Sequence, residues 1–171
     1  MTTALMPTPN KGVTQAALLE GQQFLTFMLG HELYGLDILK VQEIRGWTGV
    51  TAIPNAPAHI RGVLNLRGAI VPVLDLRRRF QMEEIPFTPY TVVIVVQIHG
   101  RTVGMIVDAV SDVVNLSADK IRPAPDFGTA IDASFLRGLA PVDDKMMILL
   151  NAEDVLRASD LMSLPAEAAT A

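Results

Sequence analysis

No cysteine occurs among the 171 residues of the chain. A disulfide framework, a thiolate zinc site and a cysteine nucleophile are therefore excluded. Aromatic residues are scarce, 5% of the chain, which leaves few faces for stacking nucleic-acid bases. Charge is also light, 19% of residues, and 18 acidic side chains outnumber 14 basic ones for a formal net charge of −4. A general nucleic-acid binder shows the opposite balance. Long apolar runs are absent. The longest unbroken aliphatic stretches, residues 92–96 and 146–150, hold five residues each, whereas a membrane-spanning helix needs roughly 20. Residues 1–23 contain no charged start followed by a long apolar stretch, so no secretory signal is expected. The Asn115-Leu116-Ser117 triplet then reads as chance, and the expected compartment is the cytoplasm.

What is present is aliphatic. Half of the residues are hydrophobic, too many for a disordered chain. They fall in short runs punctuated by Gly, Pro and Asp, the pattern of strands rather than helices. Residues 24–29, a tight turn at Gly30-His31-Glu32 and residues 33–36 read as a hairpin. A second hairpin is expected around Arg67-Gly68, and a third around His99-Gly100-Arg101. Pro72 lies inside the second strand of the middle hairpin. Proline cannot donate to a ladder, so an edge or a bulge is expected there.

The halves repeat. Tyr34-Gly35-Leu36-Asp37-Ile38-Leu39-Lys40-Val41-Gln42-Glu43-Ile44 stands 69 residues before Val103-Gly104-Met105-Ile106-Val107-Asp108-Ala109-Val110-Ser111-Asp112-Val113. Gly falls on Gly, Val on Val and acid on acid. Arg61-Gly62 matches Arg137-Gly138 at an offset of 76, as does the strand that follows each. Recurrence of short aliphatic motifs by chance is the plainer explanation; duplication accounts for more of the order. Each half has the size of a five-stranded barrel. The expected organisation is a flexible tail over 1–20, a first barrel over 21–86, a second over 87–151, a C-terminal helix over 152–164 capped by Asn151, and a tail over 165–171. Exchange of a strand or helix between the two subdomains is left open. The fold class is all-β, with short helices as minor elements.

The residues offer little chemistry. His31, His59 and His99 are far apart in sequence, and no metalloprotease, nucleophile-elbow or phosphate-loop motif occurs. Neither a cofactor nor a metal is expected. Asp37, Asp75 and Asp108 each follow an apolar run; a catalytic carboxylate pair is one reading, and turn residues bonding backbone N–H groups the simpler one. Five arginines, Arg61, Arg67, Arg77, Arg78 and Arg79, lie within 19 residues. With Glu83 and Glu84 following, they suggest a solvated face or a protein interface. Glu43 and Arg67 end apolar runs in the same half and can pair if those strands meet.

These motifs carry a resemblance. The segment from Tyr34 to Arg45, the segment Gly62-Val63-Leu64-Asn65-Leu66-Arg67-Gly68-Ala69-Ile70-Val71-Pro72-Val73-Leu74-Asp75-Leu76-Arg77, the second copy from Val103 to Val113, and Ile121-Arg122-Pro123-Ala124-Pro125 closely resemble the bacterial chemotaxis coupling family CheW. The likeness runs from about Phe24 to Leu164. CheW-like domains also occur in the chemotaxis kinase CheA and in CheV, but this chain has no room for a kinase core or receiver domain beside the CheW-like region. The resemblance implies two five-stranded SH3-like barrels and a non-catalytic adaptor. Its implied partners are a helical chemoreceptor cytoplasmic tip, the CheA regulatory domain and other copies in rings. Nucleic acid and direct membrane insertion are not implied, and localisation would be cytoplasmic with recruitment to membrane-associated receptor arrays. On matching positions, Ile38, Val41, Glu43, Val92, Val103 and Gly104 would line or border the receptor groove. Gly62, Val63, Arg67, Arg122 and Phe127 would serve the kinase and ring interfaces, although simple loop packing also accounts for Phe127. The competing reading is a small-ligand-binding β-barrel, for which convergent polar groups around an apolar pocket are missing from the sequence.

Overall fold

The computed structural model describes residues 21–98, 100–123 and 133–155. Ten strands run through the described residues: β1 (Gly21–Leu29), β2 (Glu32–Asp37), β3 (Val41–Gly46), β4 (Ile60–Leu66), β5 (Ala69–Asp75), β6 (Val92–Ile98), β7 (Arg101–Val107), β8 (Ala109–Ser117), β9 (Leu136–Val142) and β10 (Lys145–Leu150). Two four-residue helices, α1 (Leu76–Arg79) and α2 (Ala152–Val155), and three single turns of 3-10 helix complete the described elements. The expected helix over 152–164 is present for its first turn. Its remainder and both expected tails lie outside the described residues.

The strands form two five-stranded sheets, in the orders β8-β1-β2-β10-β9 and β3-β6-β7-β5-β4. Replacing each strand of one sheet by its repeat counterpart gives the other. The halves are therefore not separate barrels divided near residue 86. Each half lends its leading hairpin, β1–β2 or β6–β7, to the three remaining strands of the other half. The hairpins join by parallel pairing, β2 with β10 and β7 with β5, and by antiparallel pairing, β1 with β8 and β6 with β3. Both parallel pairs are joined by the long connections such pairing needs.

Each sheet closes at one point. The chain leaving β3 returns at Thr51, which exchanges backbone hydrogen bonds of 2.9 and 2.8 Å with Val63 on β4. The chain leaving β8 returns at Arg122, which does the same with Leu139 on β9, both at 2.8 Å. Beside each closure lies the repeated glycine. A Cβ on Gly62 would sit 2.2 Å from the Thr51 carbonyl oxygen, and one on Gly138 would sit 2.6 Å from that of Arg122. The repeated Arg-Gly thus marks where one backbone crosses another too closely for any side chain.

Burial explains the apolar runs. Val93 and Val95 face one barrel core with Val71, Val73 and Ile106, while Ile94, Val96 and Ile98 face the seam between the barrels. A strand covered on both faces reads as continuous hydrophobics rather than as alternation. The seam holds nineteen buried residues among those described, against six in each barrel core. The scarce aromatics gather there. Phe27, Tyr34, Phe80 and Phe135 form a run of rings with successive centroids 5.8, 5.9 and 5.7 Å apart.

Two local expectations are corrected. Pro72 lies on an interior strand, not an edge, since β5 sits between β7 and β4; a bulge does lie next to it, at Arg61 on the facing strand β4. The proline's lack of a donor is tolerated because the parallel ladder to β7 begins one residue later, at Val73. The arginine cluster is not a solvated face. Arg61 donates to Asp75 and Glu84, both at 2.9 Å, Arg77 makes two bonds to Asp108, and Arg79 reaches the Val155 carbonyl at 2.6 Å. These guanidinium groups tie loops and barrels together, which their clustering in the sequence does not reveal.

Candidate protein-interaction surface

The site begins with a cap. The Asp37 carboxylate accepts the Leu39 N–H at 3.0 Å and starts the 3-10 turn Ile38–Lys40, which leads directly into β3. Ile38 and Val41 are half-buried against the seam core. Leu39 lies between them in sequence and is 78% exposed. On β3, Ile44 pairs with the seam residue Ile94, so both point to the same side, yet Ile44 remains 43% exposed. Val92 opens β6, pairs with Gly46 and packs on the seam. These residues form an apolar border where the seam core approaches the surface.

A charged pair joins β3 to the β4–β5 turn. Glu43 and Arg67 meet through an Oε2–Nη2 contact of 2.5 Å. Arg67 occupies the β4–β5 turn with φ of 52°, followed by Gly68 at 90°. Positive φ at both central residues suits the twist of a two-residue hairpin. Asn65 Oδ1 accepts the Gly68 N–H at 2.9 Å and fixes the turn. The hydrogen bond from Arg67 holds the Glu43 carboxyl below its usual range. The pair faces water, so its use is orientation rather than stability.

Val103 and Gly104 do not reach the surface. Val103 is fully buried in the seam, and Gly104 packs against Val93 and Val73. They support β6 from behind. Gly62 and Val63 lie at the first barrel closure and Arg122 at the second, with Arg122 exposed. Phe127 lies outside the described residues. Sequence reasoning missed the exposed aliphatics Ile44 and Val113. They occupy corresponding positions in the repeat, on β3 and β8, and are 43% and 44% exposed. Their correspondence was legible in the sequence; their exposure was not.

Behind this surface a latch joins the barrels. Asp108, between β7 and β8, accepts Arg77 Nε at 2.9 Å, Arg77 Nη2 at 2.6 Å and the Gly30 N–H at 2.8 Å. Burial pushes the Asp108 carboxyl up, but the Arg77 and Gly30 bonds together outweigh it and leave the group below its usual range. Asp37 and Asp75 bond the N–H two residues on. Each aspartate has a structural partner, and Asp75 and Asp108 both lie around Arg77 beside one small cavity. Among the described residues, no group of three or more His, Cys, Asp or Glu is placed to hold a metal ion, and no helix is long and apolar enough to cross a membrane.

Comparison with known proteins gives these features a family. The model of the CheW-like domain matches residues 23–160. The chain belongs to the CheW-like domain family. It is 49% identical over 141 residues to the chemotaxis protein CheW of Klebsiella aerogenes, a match covering 82% of this chain and 85% of that one. It is 39% identical over 135 residues to that of Rhizobium meliloti, covering 79% and 87%. The crystal structure of the scaffolding protein TtCheW from Thermoanaerobacter tengcongensis superposes with a TM-score of 0.76 at 38% identity, over 82% of this chain and 90% of that one. The two-sheet architecture is thus the CheW fold.

Proposed function

We propose that the protein is a non-catalytic chemotaxis adaptor that couples chemoreceptor cytoplasmic tips to the kinase CheA. The observation that carries this reading is the apolar border of Ile38, Val41, Ile44 and Val92 on the seam side of β3 and β6, with the Glu43–Arg67 pair flanking it from the other face of β3. A helical hairpin fits such a surface, with apolar anchors giving affinity and rim charges giving register. Val103 and Gly104 act as the wall that positions β6. The barrel closures supply further faces, Gly62 and Val63 at one, with Arg67 in the turn that follows, and Arg122 at the other; Phe127 is assigned to a partner face by the family resemblance alone. Two unlike faces per chain let alternating partners close into a ring, and membrane arrays would then recruit the protein from the cytoplasm.

Small-ligand binding has less support. Two surface hollows of about 270 and 250 Å³, beside Lys40 and Glu153 and beside Asp112 and Asp143, are shallow and charged. A ligand site is typically larger, about 300–1,000 Å³, and buries most of its ligand's surface.

Val41→Asp and Ile44→Asp test the groove. Each is expected to weaken binding of a soluble receptor cytoplasmic fragment by roughly 30- to 160-fold, the cost of about 2–3 kcal/mol for an unpaired charge in an apolar contact. Ile44→Asp should leave the melting temperature nearly unchanged. Titration calorimetry reads the affinity, and unaltered binding in a folded Ile44→Asp protein refutes the assignment. Arg122→Glu is expected to disorder receptor–kinase assemblies in co-sedimentation while leaving binding to one receptor fragment intact. Equal loss of both counts against separate faces.

A further inference from the structure

The exchange of hairpins has a consequence for association. Every pairing that joins a hairpin to its barrel, β1 with β8, β2 with β10, β3 with β6 and β5 with β7, runs between the two halves of the chain. Only the segment 81–91 connects those halves covalently. None of the pairings requires that the two halves belong to one molecule.

That segment is a strap over the first half's own surface. Arg77 Nη1 donates to the Glu83 carbonyl at 2.7 Å. Glu84 accepts Arg61 Nη2 at 2.9 Å and lies 3.3 Å from Arg78 Nε. Phe87 packs on Trp47 with centroids 4.3 Å apart, and the Arg61 guanidinium lies 5.0 Å from the Phe87 ring centre. All these anchors precede the strap in sequence. Residues 83–90 are nonetheless exposed, and the strap adds no strand to either sheet. Its physical effect is to set the concentration at which one half meets the other.

We propose that this fold is a hairpin exchange that a second copy of the same chain can complete, and that the strap over 81–91 decides between the closed monomer and a reciprocally exchanged dimer. A flexible linker gives tethered partners an effective concentration of about 1 mM, and a linker too short to span gives almost none. At micromolar protein the intact strap keeps the exchange within one chain. A strap that cannot span hands the same pairings to a second copy, with both barrels rebuilt and no new surface required. Such a dimer displays the β3 border twice.

The absence of native cysteine makes the test direct. Met28 on β1 and Ala109 on β8 are register partners across the exchange, at a spacing suited to a disulfide. The Met28→Cys/Ala109→Cys chain is prepared with its strap intact and with residues 82–90 deleted, which leaves a reach of at most ~11 Å between Phe80 and Val92. The intact form is expected to be a monomer with an internal bridge. The deleted form is expected at twice the monomer mass by light scattering, with native circular dichroism and a bridge that links two chains on a non-reducing gel. A folded monomer with an internal bridge overturns the proposal, as does a dimer that separates into single chains on that gel. If the deleted form does not fold, the intact two-cysteine chain decides the matter. It is unfolded and reduced, refolded at about 10 µM and about 1 mM, and then oxidised. Interchain bridges must appear at the higher concentration and be scarce at the lower; their absence at both overturns the proposal.

Discussion

Gly62→Ala and Gly138→Ala are each expected to cost about 3 kcal/mol or more, lowering the melting temperature by roughly 6–12 °C. The reason is backbone against backbone. The added methyl would meet the Thr51 carbonyl oxygen at 2.2 Å in one barrel and the Arg122 carbonyl oxygen at 2.6 Å in the other. No rotamer relieves such a contact. The closing bridge must move, and with it the paired hydrogen bonds Thr51–Val63 or Arg122–Leu139. Gly46→Ala is the control: nothing lies within 4 Å of its Cβ position, and its effect should fall within about ±0.5 kcal/mol. Urea unfolding separates the three variants. If Gly62→Ala costs no more than Gly46→Ala, the closure point is not where the structure places it. Because the closures lie beside Val63 and Arg122, receptor and kinase binding should be measured on the folded fraction alone.

Asp108→Asn should destabilise the protein by about 2–3 kcal/mol. The variant keeps the shape but removes the charge that Arg77 meets at 2.6 and 2.9 Å, and Arg77 is left mostly buried. The wild-type carboxyl is held below its usual range in the folded protein. Its contribution is therefore complete above the ordinary unfolded value near pH ~3.9. It fades as pH falls through that value towards the lower folded one. Wild-type stability should thus drop more steeply than that of Asp108→Asn between about pH 5 and pH 2. Parallel curves for the two proteins would mean that Asp108 does not titrate against Arg77.

The repeat, the strand content and the three hairpin turns were legible because they rest on local chemistry: runs of β-formers, Gly at turns, and Gly-Gly matches between halves. The partner of each hairpin was not legible. Val93 and Ile94 look alike in sequence, although one faces a barrel and the other the seam. A strand buried on both faces carries no periodicity to say which neighbour covers it. The arginines misled for a related reason. Asp108 lies 31 residues from Arg77, a separation at which charge pairing cannot be read from spacing. Glu43 and Arg67 were matched correctly because the two apolar runs they end belong to the same half, and that half supplies β3, β4 and β5 to one sheet. Ile44 and Val113 align in the repeat, but exposure depends on where the sheets part.

Interleaving also orders events during synthesis. The β1–β2 hairpin is complete at Asp37, yet its parallel neighbour β10 ends only at Leu150. At about 5–20 residues per second, a ribosome needs roughly 6–20 s to make the intervening chain. Through that interval Phe27, Leu29 and Leu36 have no seam to enter. The nascent protein therefore carries exposed apolar strands until β10 is made, and its yield in the cell should depend on factors that shield them.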